Sequence, residues 1–197
     1  MFPFRIKLIK GLTLLELIIA LAISAFIVLA IHNITVYTNF HVLTADRRAK
    51  AQNEASFCLE HMSKEIAKAI GNEKIDGANN LVYVSADAVS VFIDYSGNGK
   101  RDASDNWIKY TFEESAGSLY YCANCSDAAC ADCNSPEGNE TLSDRIFYFS
   151  PSFNDNLVNI NITACYDPLE RKFACGSRDN PTANLTTRIK MPQVSVN

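Results

Sequence analysis

The 197-residue chain predicts an α+β protein: one long N-terminal α-helix, about residues 12–70, packed on a mostly antiparallel β-sheet domain. Three observations predict it. An apolar run reaches from Leu12 to Ile31 with Glu16 as its only charged residue. A helical rhythm then continues without Pro or Gly until Gly71. Beyond Gly71 the rhythm shortens toward two, in short segments rich in Val, Ile, Tyr and Phe.

The apolar run reads as a membrane segment. At about 1.5 Å per residue, about 20 such residues span the roughly 30 Å hydrocarbon core of a bilayer. Arg5, Lys7 and Lys10 precede it, so the positive-inside rule keeps the N-terminus in the cytoplasm and exports everything after about Asn33. Glu16 needs its own explanation. An acidic residue at the centre of a membrane helix costs about 2.5–3.5 kcal/mol even on lenient insertion scales, so it implies a function and a partner. A cleaved secretory signal ending near Ala20-Leu21-Ala22 explains less, because the apolar run continues past that site and Glu16 lies within it. A plain signal anchor gives Glu16 no purpose.

From residue 33 to about 70 the helix turns amphipathic. Ala51, Ala55, Cys58, Met62, Glu65/Ile66 and Ala69/Ile70 recur at steps of three and four, forming one apolar stripe. Asp46, Arg47, Arg48, Lys50, Glu54, Glu60 and Lys64 occupy the other faces, and Gly71-Asn72 supplies a C-cap. A helix of that extent is about 85–90 Å long. Its first half, 12–32, belongs in a membrane, and its second half should pack on a sheet. His32, His41 and His61 read as solvated helix surface.

Residues 71–197 form the globular part. Strands are predicted at 81–84, 89–93, 107–112, 118–121, 145–149, 158–163 and 185–191, separated by turn-rich connections. Such an order favours antiparallel sheet against one helix. The net charge of −4 offers no basic surface for nucleic acid. Seven cysteines in an exported domain fit an oxidising compartment.

Lys10-Gly11 followed by Leu12-Thr13-Leu14-Leu15-Glu16 resembles the processing site of type IV pilins and type II secretion pseudopilins. The resemblance implies a pilin-like lollipop fold with a leader at residues 1–11. It implies cleavage by a prepilin peptidase between Gly11 and Leu12, with N-methylation of Leu12, and it makes Glu16 the assembly carboxylate. The partners it implies are that peptidase, other minor and major pilins or pseudopilins, and the inner membrane, with the globular domain in the periplasm or outside the cell. Asn33 stands where many major pilins carry a kinking Pro, which favours a minor subunit. The order Trp107-Ile-Lys-Tyr-Thr-Phe112, Gly117-Ser-Leu-Tyr-Tyr121, Arg145-Ile-Phe-Tyr-Phe149 and the closing Thr186-Thr-Arg-Ile-Lys190 is similar to the minor pilin W and pseudopilin J branch.

Two constellations carry possible chemistry. In Asp94-Tyr-Ser96-Gly-Asn98-Gly-Lys100-Arg-Asp102-Ala-Ser-Asp105, oxygen-bearing residues fall at the spacing of a calcium loop, with Lys100 offering its backbone carbonyl. Arg101 and the short Asp105 depart from that pattern, and an ordinary hairpin turn at Asn98-Gly99 is the other reading. The second is Cys122-x-x-Cys125 and Cys130-x-x-Cys133. These four read as disulfides pinning a loop or as ligands of zinc, the metal being the less expected, with a redox-active pair as a third reading. Cys165 and Cys175 flank a turn that their pairing would clip, while Cys58 lies on the apolar helix stripe. No catalytic constellation emerges, so an enzyme is not expected. The expected function is a minor pilin or pseudopilin subunit in the initiating or tip complex of a type IV pilus or type II secretion pseudopilus. The alternatives are a membrane-tethered calcium- or metal-binding module and a tethered thiol oxidoreductase.

Overall fold

The computed structural model describes residues 13–69, 81–96, 98, 104–131, 139–154, 156–170 and 174–191. Helix α1 spans Leu14–Ile66, and eight strands come after it: β1 Val82–Val84, β2 Ala88–Ile93, β3 Asn106–Glu113, β4 Ser118–Cys125, β5 Asn139–Ser143, β6 Ile146–Asn154, β7 Leu157–Cys165 and β8 Thr182–Lys190. The predicted α+β class holds. The chain divides into two units, Met1–Leu43 and Thr44–Asn197.

In the first unit, α1 carries no Asp, Glu, Lys or Arg after Glu16, and every residue from Thr13 to Leu43 is exposed. Leu14 and Phe26 are 77% and 73% accessible, values that water would penalise and lipid or another helix would not. By length and composition α1 can cross a membrane.

In the second unit, the continuing helix buries Ala51, Ala55, Cys58, Leu59, Met62 and Ile66, the predicted stripe with Leu59 added. The helix ends earlier than expected. Lys68 N–H donates to the Glu65 carbonyl at 3.0 Å and Ala69 N–H to that of Ile66 at 3.0 Å, tightening the last turn. Ala69 then pairs with Ile93 in an isolated antiparallel bridge, so contact with β2 draws the chain out of the helix before Ile70. The proposed cap at Gly71-Asn72 lies outside the described residues.

The strands form two sheets. One is a five-stranded meander, β1-β2-β3-β4-β5, and the other a three-stranded meander, β6-β7-β8, each entirely antiparallel. Inner-face residues alternate as the pleat requires: Val89, Val91 and Ile93 on β2, Ile108 and Tyr110 on β3, and Val158, Ile160 and Ile162 on β7. Together with the helix stripe they make one core. β5 was not predicted, because Asn139-Glu140-Thr141 has no strand-like apolar pattern; it is the polar edge of its sheet. β6 runs five residues beyond its predicted end at Phe149, straight through Pro151. Pro lacks an N–H for a second neighbour, and β6 is an edge strand, where none is needed.

Gly117 joins β3 to β4 at φ +62°, and its carbonyl accepts from Ile146 N–H at 2.9 Å, linking the two sheets. A Cβ there would lie 2.6 Å from Pro168 Cγ. Gly117→Ala is expected to lower stability by at least about 1–2 kcal/mol through the left-handed backbone alone, before the clash is counted. Met62→Ala should cost roughly 2–5 kcal/mol, while Phe57→Ala, on the exposed face of the same helix, should stay within about 0.5 kcal/mol. Urea unfolding of the full chain followed by circular dichroism measures all three; equal losses for Met62 and Phe57 would contradict the assigned helix face.

Candidate functional site

The first candidate site is the N-terminal turn of α1. Thr13 N–H and its hydroxyl both donate to Glu16 Oε2 at 2.9 Å, and Glu16 N–H donates to Thr13 Oγ1 at 3.3 Å. This is a capping box, in which the side chains of the N-cap and third helical residues satisfy each other's backbone donors. Its Thr-x-x-Glu signature is written in the sequence, but reading Glu16 only as a charge awaiting a distant partner misses it. The box holds the carboxylate at the start of the helix, where the macrodipole favours it. Gly11 and Leu12 lie outside the described residues.

The predicted calcium loop is only partly described. Asp94 comes directly after β2, and Ser96 Oγ donates to Asp94 Oδ1 at 2.9 Å. Asn98 N–H donates to Ser96 Oγ at 3.4 Å, and Tyr95 N–H donates to Asp105 Oδ1 at 3.1 Å, closing the turn on itself. Lys100 and Asp102 lie outside the described residues. Among the described residues no group of three or more His, Cys, Asp and Glu side chains is placed to hold a metal ion.

Among the described residues, five cysteines are disulfide-bonded. Cys125 pairs with Cys130, joining the two Cys-x-x-Cys units rather than closing either one. Cys122 is also disulfide-bonded, and Cys133 lies outside the described residues. Cys165 pairs with Cys175 as expected, clipping the β7–β8 connection. Behind that clip sits Asn180, 2% exposed, which no sequence signal marked. Its amide donates to the Asp167 carbonyl at 2.7 Å and its Oδ1 accepts from Asp167 N–H at 2.9 Å. The helix grips the same region: Arg47 Nη1 donates to the Asp179 carbonyl at 2.6 Å, and the Arg47 and Arg145 guanidiniums each lie 5.3 Å from the Tyr166 ring centroid.

His61 departs from the expectation of a solvated surface. Its ring packs edge-on against Tyr121 at 4.7 Å, and Nδ1 is 3.1 Å from the hydroxyl of the fully buried Tyr110. It is half-buried because the helix presents it to the β3–β4 face, a fact of packing that its position on the helix alone did not reveal. Cys58 is free and fully buried, and burial pushes its thiol up to about 12. Burial also raises the hydroxyls of Tyr110 and Tyr121 above the ordinary tyrosine range. A thiol so held is no nucleophile at neutral pH.

These features define a class: a chain with one apolar, membrane-capable N-terminal helix, whose second half belongs to a disulfide-bearing α+β domain. Comparison of the chain with known protein families, curated proteins and solved structures finds no match.

Cys58, Tyr110 and Tyr121 keep their protons more tightly folded than unfolded. Their contribution is therefore complete below the unfolded-state values, about 8.5 for a thiol and about 10 for a tyrosine, and is lost as pH rises through the folded ones. The urea midpoint is expected to fall steadily from about pH 8 to about pH 11. Cys58→Ala should make the early part of that decline shallower, and a midpoint unchanged across the range would show that these groups are not buried as described.

Proposed function

We propose that the chain is a minor pilin or pseudopilin subunit, processed between Gly11 and Leu12 and assembled with sister subunits through its N-terminal helix. The observation that carries this reading is the exposed apolar surface of α1 with a single carboxylate at its start. Nothing in the second unit requires a helix of that length, and a membrane or a bundle of like helices is the environment that such a surface fits.

Cleavage before Leu12 creates an ammonium one residue ahead of Thr13. Within the chain, Glu16 stands four residues after that new positive end in sequence. Between axially staggered neighbours, the carboxylate of one helix can neutralise the amine of the next, leaving no charge unpaired in an apolar filament core. The capping box gives the carboxylate a satisfied position before assembly, which lowers the cost of carrying it in the membrane. The globular half carries the surfaces that would make tip or initiation contacts. The same reading places the chain in the inner membrane before assembly and in a pilus or pseudopilus afterwards.

Mass spectrometry of the chain from cells with an active prepilin peptidase is expected to show an N-methylated Leu12 terminus, and retention of Met1 would sink the proposal. Glu16→Gln keeps an acceptor for the capping box and removes the charge. It should leave membrane insertion and processing intact while abolishing incorporation into sheared filaments or co-purified pilin complexes. Normal incorporation of that variant would remove Glu16 from the assembly step.

A further inference from the structure

We propose that β8 is a docking edge for an extended acidic segment of another protein, which adds to the three-stranded sheet as a further antiparallel strand. The inference does not rest on the filament proposal. Among the described strands, the edges of the two sheets are β1 and β5 on one and β6 and β8 on the other. Unpaired edges invite foreign strands, and proteins blunt them by shortness, bulges or Pro. β1 has three residues, and β5 has five with a register shift against β4. β6 carries Pro151 and a register shift against β7. β8 has none of these devices. Its nine residues, without Pro, pair with β7 in unbroken register from Thr182↔Cys165 to Lys190↔Leu157.

The same register identifies the backbone groups that the edge offers. Just beyond the two ends of the ladder, Tyr166 N–H donates to the Pro181 carbonyl at 3.2 Å and Met191 N–H to the Asn156 carbonyl at 3.1 Å. Antiparallel partners alternate between bonded and non-bonded pairs, so the odd-numbered residues of β8 bond to β7. The N–H and C=O groups of Asn184, Thr186 and Arg188 point away from it. Among the described residues these groups make no hydrogen bond. Ala183 and Leu185 pack against the main core and hold the strand in place, while Asn184, Thr186, Arg188 and Lys190 are exposed.

Charge selects the occupant. Arg188 and Lys190 are the only charged residues in β6, β7 and β8, in a chain whose net charge is −4. Among the described residues neither enters an ion pair. An antiparallel partner brings its N-terminal end beside them, so its carboxylates belong there, two residues apart and on the outer face. The rest of that face meets Thr186, Asn184 and Thr182, which suits short hydroxyl side chains. Main-chain hydrogen bonds supply the affinity, and the two cations set direction and register.

The probe is a synthetic peptide as long as β8, with Glu at its first and third positions and Thr and Val alternating over the remainder. Fluorescence anisotropy of the labelled peptide against the full chain in detergent micelles is expected to show saturable binding. Gln in place of both Glu, or the double variant Arg188→Glu/Lys190→Glu, should weaken it about ten-fold. Thr186→Pro removes one outward N–H and no backbone bond to β7, so it should abolish binding and keep the cooperative thermal transition. N-methylation of the peptide at its third, fifth and seventh residues should also abolish binding, and it leaves the protein untouched. Absence of saturable binding, or equal binding of the N-methylated peptide, would overturn strand addition. Equal binding of the Gln peptide would overturn the acidic assignment. So would a chain that is dimeric in the same micelles and becomes monomeric with Thr186→Pro, since the edge would then belong to a second copy.

Discussion

The second half of α1 buries one continuous stripe, Ala51 to Ile66, in the same core as residues of both sheets. Ala51, Ala55, Cys58, Met62 and Ile66 are fully buried in the core that the helix shares with both sheets. Everything else in the second unit is organised around that contact. The two meanders share one core with the helix, Gly117 and Ile146 join them by a backbone hydrogen bond, and Arg47 fastens the helix to the β7–β8 connection. A larger residue in the stripe would push the helix off both sheets at once, because a close-packed interior transmits a misfit instead of absorbing it.

The same helix meets a different constraint in its first half. Its apolar residues are exposed on every face, so no one-sided stripe docks it on a domain and the solvent it prefers is lipid or other helices. Glu16 is tolerable at its start because Thr13 meets it with two hydrogen bonds. One continuous element thus passes from an all-round apolar surface to a one-sided apolar stripe, and the change falls where the charged residues begin at Asp46.

Much of this was legible in the sequence. The stripe from Ala51 to Ile66 and most of the strands are set by local periodicity, because burial on one face imposes a period of 3.6 on a helix and 2 on a strand. The Cys165–Cys175 clip could be anticipated from a short turn between two strands. β5 was hidden because a polar edge strand needs no apolar pattern, and the extension of β6 was hidden because Pro151 is acceptable only at an edge. The packing of His61, half-buried, and of Asn180, buried, was invisible. Each is placed by partners far away in the chain, Tyr110 and Tyr121 for the one, Asp167 for the other.

By itself, then, the sequence determined the helix, its apolar and amphipathic halves, the isolated carboxylate at Glu16 and the antiparallel character of the strands, since all of these are written in neighbouring residues. Only the tertiary structure decided that the strands divide into two sheets, that the helix stops at Ile66 to pair Ala69 with β2, and that Cys125 bonds Cys130 over Trp107. Those outcomes depend on which surfaces meet. An alternating strand pattern marks a buried face, but its cover, a helix or a cystine loop, is chosen by packing between segments distant in sequence.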